Sequence, residues 1–242
     1  MDLLFCLSEA ESDRMSLAEI CDRLGVHKSR AFSILQTLQR FDVIQTDGRR
    51  KGYSLGPGLI RLSRKFLDNL GTAKLAQPFL EELVRKAKST AAFGLIAGKH
   101  AYVVAKQEGD HPLSITMRVG HRFPVTWGCH GKAIAAFLPE KELENLLQHK
   151  NLYFHGEPGR FDRSKLEREM HECREKWFAD DQGEMVPGHY AVAAPVLAPH
   201  GAPIGYIAVL GLFSTEATER CGPLAAEAGK ALSRKLGTRV DQ

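Results

Sequence analysis

Ser16-Leu17-Ala18-Glu19-Ile20-Cys21-Asp22-Arg23-Leu24-Gly25-Val26-His27-Lys28-Ser29-Arg30-Ala31 holds one complete helix, a bend and the start of a second helix. Ser16 and Glu19 have the spacing of a capping box: the Ser16 hydroxyl accepts from the backbone N–H of residue 19, and the Glu19 carboxylate accepts from the N–H of Ser16. A helix therefore begins at Leu17. It buries Leu17, Ile20, Cys21 and Leu24 and stops at Gly25, which enters the left-handed conformation at low cost. Beyond Gly25-Val26-His27, the apolar residues Ala31, Ile34, Leu35, Leu38 and Phe41 recur at three and four positions, which predicts a second amphipathic helix. Two short helices joined by a Gly-containing turn, the second polar at its start, form the pattern of a helix-turn-helix.

The flanks extend this pattern. Upstream, Leu3, Leu4 and Leu7 predict a helix within residues 1–10 that begins with almost no lead-in, so its first turn is expected to be incomplete. Downstream, Val43 to Thr46 and Gly52 to Leu55 read as two short strands around Asp47-Gly48, a preferred hairpin turn, with Arg49, Arg50 and Lys51 at the tip. The result is a winged helix. Residues 1–22 carry one base against six acids, a balance of −5, whereas residues 23–65 carry ten bases against two acids, a balance of +8, and the remainder is about neutral. A basic stretch attached to a neutral bulk is the charge pattern of a nucleic-acid-binding module joined to something else.

The whole chain has 242 residues, 43% of them hydrophobic and 26% charged, the composition of an ordinary globular protein. The longest apolar candidate for a membrane span, Ala191 to Leu212, is broken by Pro195, Pro199 and Pro203, and the amino terminus lacks the basic n-region and cleavage site of a secretory signal. A cytoplasmic protein is expected. Five scattered cysteines, Cys6, Cys21, Cys129, Cys173 and Cys221, include no C-x-x-C pair and read as reduced thiols. After Gly56-Pro57-Gly58, an apolar stripe of Leu59, Ile60, Leu62, Phe66, Leu67 and Leu70 runs through a basic helix that ends at Gly71. Helices follow at 73–88, 128–137, 166–177 and 216–236, and strands at 91–97, 101–107, 113–119, 190–198 and 203–212. Hairpin-paired strands with helices set apart predict an α+β domain. The expected organisation is a winged helix-turn-helix over residues 1–56, a linker helix over 57–71 and a second domain over 72–242.

The chain resembles the IclR-type transcriptional regulators. The resemblance is carried in order by Ser16 to Ile20, Gly25 to Ser29, Leu35 to Leu38, Tyr53 to Gly56, Gly120-His121-Arg122-Phe123-Pro124, Gly131-Lys132-Ala133 through Pro139, Pro187-Gly188 and Ala193 to Val196. It spans almost the whole chain and implies a GAF-like effector-binding domain with an antiparallel sheet over 72–242. It also implies double-stranded operator DNA and a small molecule as partners, with no catalysis and no cofactor.

For DNA, the start of the second helix presents Lys28, Ser29, Arg30, Ser33, Gln36 and Thr37. Arg30 is the expected base reader, because arginine matches the O6 and N7 acceptors of guanine in the major groove. The family usually has Thr at position 30 and Arg at position 33, so the reading arginine has moved almost one helical turn and operator preference should differ. Arg49, Arg50 and Lys51 on the wing would add salt-sensitive, sequence-independent contacts. One such domain makes few contacts, so a homodimer or dimer of dimers on two half-sites is expected. The linker stripe is a candidate dimer seam or, equally, an intramolecular packing face.

By the same resemblance, the effector site involves Trp127, Cys129 and His130 at a helix start whose N–H groups would favour an anionic ligand group, together with Asp181, Ala191, Ala208 and Leu210. Phe93 and Ile115 are expected to supply walls. Relatives that bind small carboxylates often carry Ser-x-Ser-Gly where this chain has Ala208-Val209-Leu210-Gly211. The loss of two hydroxyls disfavours a heavily hydroxylated ligand and favours an apolar or aromatic one, such as an aromatic acid.

Cys129 and His130 also raise a different class of reading: an enzyme acting through Cys129, His130 and Asp181, or a thiol redox sensor at Cys129. Adjacent helical positions point about 100 degrees apart, which is poor geometry for a nucleophile and its base. A zinc site from His121, His130, His189 and Cys129 lacks ligand spacing, so no metal is expected. His149, His155 and His171 lie in polar segments and read as solvated.

Overall fold

The computed structural model describes residues 2–10, 12–47, 50–69, 71–109 and 117–239, with only the backbone described at 47, 50, 51 and 64–69. Arg49, Ile115 and Leu70 lie outside the described residues, as do the side chains of Arg50, Lys51, Phe66 and Leu67. The chain divides into two compact units, Met1–Gly71 and Thr72–Gln242.

In the first unit, helices α1 (Asp2–Ser8), α2 (Leu17–Leu24) and α3 (Lys28–Arg40) precede a hairpin of β1 (Ile44–Asp47) and β2 (Arg50–Leu55), and α4 (Gly58–Asn69) follows. The capping box of α2 forms: the Glu19 N–H donates to Ser16 Oγ at 3.3 Å and the Ser16 N–H donates to the Glu19 carboxylate at 2.6 Å. Gly25 closes the helix with φ of 62°. Leu3, Leu7, Met15, Ile20, Leu35 and Ile44 make the core. Gly56 and Gly58 are required by close approach, since a Cβ at either would lie 2.2 and 2.4 Å from the carbonyl oxygens of Asp42 and Phe41.

The second unit runs α5 (Gly71–Ala87), β3 (Thr90–Ala97), β4 (His100–Gln107), β5 (Arg122–Pro124), α6 (Gly128–Ala135), α7 (Glu140–Leu147), α8 (Arg163–Lys176), β6 (Ala179–Gln182), β7 (Tyr190–Leu197), β8 (Pro203–Leu212) and α9 (Thr215–Lys235). The strands form one antiparallel six-stranded sheet in the order β5-β4-β3-β8-β7-β6. One face packs against α5 and α9 through Leu80, Leu83, Phe93, Val192, Ile207, Val209 and Leu232. The opposite face packs against α6 and α8 through Cys129, Ile134, Leu166, Met170, Tyr206, Ala208 and Leu210.

Two expectations need correction here. The strand expected at 113–119 is not found in its described part: residues 117–119 lead into a turn at Gly120, which has φ of 89°. The Gly120 N–H donates to the Val103 carbonyl at 2.7 Å, and the edge strand is instead β5, three residues long. Phe93, expected as a wall of the effector site, is fully buried on the α5/α9 face, the side of the sheet away from Cys129, Ala208 and Leu210. Side chains alternate across a strand, and covering by helices on both faces makes the inward and outward positions of β3 equally apolar, so hydrophobicity could not tell them apart.

Candidate nucleic-acid interface and effector site

Ala31 and Leu35 pin α3 to the core, which leaves Lys28, Ser29, Arg30, Ser33, Gln36 and Thr37 all exposed. His27 caps the helix: its Nδ1 lies 2.9 Å from Ser29 Oγ and accepts from the Ser29 N–H at 3.4 Å. Thr37 donates its hydroxyl to the Ser33 carbonyl at 3.0 Å, so its side chain is partly committed to its own helix. Arg40, absent from the sequence candidates, is exposed four residues beyond Gln36 and seven beyond Ser33, and thus shares their helical face. Helical phasing from the buried pair Ala31 and Leu35 would have found it.

In the second unit, three of the expected effector residues fall in one row across the sheet. Asp181 on β6 pairs with Ala191 on β7, which pairs with Leu210 on β8. Ala208 lies two residues back on the same face, against Ala193. Helix α6 packs over this row, contributing Cys129 and His130, both buried. Trp127 occupies the cap position of α6 and stands 5.6 Å from the ring of Phe123 and 5.8 Å from that of Tyr153. The His130 ring stacks on Tyr206 at 4.4 Å and 15°. Tyr206 was missed in the sequence; its position two residues before Ala208 on β8 was the available signal. The structure thus brings together Cys129, His130, Ala191, Ala208, Leu210 and Asp181, with Trp127 at the margin, and leaves Phe93 on the other face.

The start of α6 differs from the expected anion site. The Asp181 carboxylate already lies beside it, with Oδ2 3.3 Å from where a Gly128 Cβ would stand, and the Gly128 N–H donates to the Tyr153 carbonyl at 3.1 Å. Burial raises the Asp181 pKa, opposed by N–H donors from Glu184 and Met185 to its Oδ1 at 2.7 and 3.4 Å. A negative group at a helix start is favoured by the helix dipole, and Asp181 takes up part of that potential.

A charged cluster lies behind the site. Lys132, on α6 and 1% exposed, holds its ammonium 2.8 Å from Glu169 of α8, 2.5 Å from Glu184 and 3.2 Å from the Asp180 carbonyl. Burial would lower the ammonium pKa, but the two carboxylates outweigh it and hold the group charged, above its usual range. Lys165 also pairs with Glu184, and His155 Nε2 lies 2.8 Å from Glu169. His155 is therefore buried, not solvated as its polar surroundings suggested: it stacks on Phe161 and its Nδ1 accepts from the Asp162 N–H. Among the described residues, His155, Glu169 and Glu184 are the group whose ligand atoms converge closely enough for a cation, and the Lys132 ammonium already bonds to both carboxylates. Cys129, His121, His130 and His189 do not form such a group.

Comparison with known proteins gives this arrangement a lineage. The IclR helix-turn-helix domain matches residues 1–48, and the bacterial transcriptional regulator IclR C-terminal domain matches residues 64–234. The chain belongs to the IclR family of transcriptional regulators. It is 28% identical over 237 residues to the HTH-type transcriptional regulator XynR of Escherichia coli, covering 96% of this chain and 93% of that protein. Its fold matches the crystal structure of an IclR regulator from Alicyclobacillus acidocaldarius with a TM-score of 0.82 at 27% identity, over 97% of this chain and 96% of that one. An IclR homologue from Microbacterium hydrocarbonoxydans, solved in complex with 4-hydroxybenzoate, shares the fold at 16% identity with a TM-score of 0.79, over 97% and 98% of the two chains.

As an IclR-family protein, the chain is a DNA-binding regulator with an effector-binding carboxy-terminal domain and not an enzyme. The Cys129 thiol agrees: burial and the nearby Asp181 carboxylate push its pKa up, the reverse of what a reactive thiolate needs. All five cysteines are free and buried. Among the described residues, no helix is long and apolar enough to cross a membrane.

Proposed function

We propose that this IclR-family regulator reads a specific operator through Arg30 on α3, holds the duplex through the wing residues Arg49, Arg50 and Lys51, and is switched by an apolar or aromatic acid bound at the α6 face of the sheet. Lys28, Ser29, Ser33, Gln36 and Thr37 supply phosphate and base-edge contacts beside Arg30. The observation that carries the reading is the presence of an exposed basic and polar face on α3 together with the apolar groups Ala191, Ala208 and Leu210 under α6, whose start carries the ring contacts of Phe123 with Trp127 and with His130. Complexation of a same-fold homologue with 4-hydroxybenzoate supports an aromatic effector. Operator binding as a homodimer or dimer of dimers is supported by α4, which exposes Ile60 at 69% and Leu62 at 60%.

The test is operator binding by fluorescence anisotropy across a salt series. Arg30→Ala is expected to cost about 1–3 kcal/mol on the operator and little on random DNA, because it removes base readout. Arg49→Ala is expected to weaken both alike and to reduce the salt slope by about one ion. Equal losses on both DNAs for both variants would overturn the assignment. Leu210→Ser is expected to weaken the effector and leave effector-free operator binding unchanged; unchanged effector affinity would move the site elsewhere.

A further inference from the structure

We propose that the effector site recognises a neutral hydroxyl carried on an aromatic ring, with His130 Nε2 as its hydrogen-bond acceptor and Tyr206 Oη as a second partner. The inference rests on the placement of the effector site at the α6 face and names the chemistry that this site selects.

The decisive observation is a pair of buried polar atoms with nothing to bond. His130 is 3% exposed and Tyr206 fully buried, and among the described residues neither His130 Nε2 nor Tyr206 Oη has a hydrogen-bond partner. Buried side-chain polar atoms are nearly always paired, so two such atoms on stacked rings call for an explanation in function. The pair is also firmly seated. The Tyr206 ring lies across the neighbouring strand on Gly94, where a Cβ would come within 2.3 Å of Cε1 and 2.8 Å of the hydroxyl. On the other side, His130 meets Phe123 edge-on at 5.6 Å.

The protonation pattern sets the ligand's chemistry. His130 hydrogen-bonds the Pro124 carbonyl. A carbonyl only accepts, and Nε2 is the unpartnered nitrogen, so Nδ1 carries the proton. Burial lowers the ring's pKa to about 3 and keeps it neutral. In that tautomer Nε2 presents a lone pair and asks for a donor. A carboxylate placed there would face this lone pair, and the Lys132 ammonium is already bonded to Glu169 and Glu184. A ligand hydroxyl would satisfy the histidine as donor and accept from Tyr206, and the groups beside the pair suit an aromatic ring: Phe123 lies 5.6 Å from the His130 ring, and Ala208 and Leu210 belong to the same apolar cluster as Tyr206. A site built to bond a ligand hydroxyl rejects the analogue that lacks it, because its own polar atoms then stay unpaired.

The experiment uses the full chain with p-cresol and p-xylene, probes of matched shape that differ by a hydroxyl for a methyl, read by calorimetry and by Trp127 fluorescence. p-Cresol is expected to bind at least ten-fold more tightly, and the preference to shrink to within about three-fold in Tyr206→Phe and in His130→Phe, which keep the stacked rings. Tyr206→Phe removes a hydroxyl without a partner, so its thermal midpoint should equal or exceed the parent's, which confirms that the variant is folded. Equal binding of the two probes to the parent, no binding of either, or full discrimination retained in either variant would overturn the proposal. Operator release by an acid without a hydroxyl, undiminished in both variants, would overturn this pair as the reader and leave the effector function standing. If no small molecule altered operator binding, that function itself would fall.

Discussion

His130 is the residue at which burial has the clearest thermodynamic consequence. Its ring titrates near 6.5 when solvated and at about 3 in the folded chain, because burial penalises the charged form more than the bond to the Pro124 carbonyl favours it. Between those values the unfolded chain binds a proton that the folded chain does not, so stability falls as the solution is acidified. One proton bounds the effect at about 1.4 kcal/mol per pH unit. The buried Asp181 carboxyl, whose pKa is raised, works in the opposite direction and is common to parent and variant. Urea unfolding at pH 7, 6 and 5 should therefore show a shallower loss of stability in His130→Phe than in the parent. Parallel losses in the two proteins would mean that the ring gains its proton without cost, and the neutral tautomer would be wrong. Single positions differ in what they disclose: Cys129 and His130 entered as candidates through the family resemblance, whereas the polar run around His155 gave no hint that its ring reaches Glu169 of α8.

Elements differ in how much of their position is written locally. The α2–α3 pair is legible because the capping box, Gly25 and the spacing of Ile20, Leu35 and Leu38 all act within a few residues. β6 is not: Ala179-Asp180-Asp181-Gln182 is short and acidic, and it becomes a strand only because β7 offers an edge. β3 was found as a strand but its faces were not, since both carry apolar side chains into helical layers. The joint between α6, α8 and the segment after β6 was likewise invisible, because Lys132, Glu169 and Glu184 are far apart in sequence and close only in space. That joint holds Glu184 while the next residue, Met185, sits against Gly128 at the start of α6. Lys132→Met should cost on the order of 3 kcal/mol, the lower end for breaking a buried ion pair because both carboxylates keep some contact with water. Hydrogen exchange of residues 183–189 should accelerate together with that loss. Exchange there at the parental rate in a destabilised variant would show that the ion pairs hold α6 to α8 but not this segment.

At the scale of the whole molecule, charge is divided between a strongly basic stretch within residues 23–65 and a nearly neutral unit from Thr72 onward. The first engages DNA through counterion release, which depends steeply on salt. On the proposed reading, the second engages a ligand through burial of apolar surface and bonds to His130 and Tyr206, which would depend on salt weakly. Linkage then constrains any coupling between them. If an effector weakens operator affinity by some factor, the operator must weaken effector affinity by the same factor, whatever motion connects the two. Regulators typically couple by about 1–3 kcal/mol, or 5–150-fold. Titrating effector into the free chain and into the chain saturated with operator should return the ratio found from operator titrations with and without effector. The ratio should hold at low and moderate salt even as operator affinity itself drops by orders of magnitude, because the ligand's interactions carry little net charge transfer. A coupling that vanished with salt in step with DNA affinity would instead place the small molecule on the basic unit, competing directly with the duplex. His130→Phe separates the two outcomes: it should abolish the coupling while leaving the salt slope of operator binding untouched.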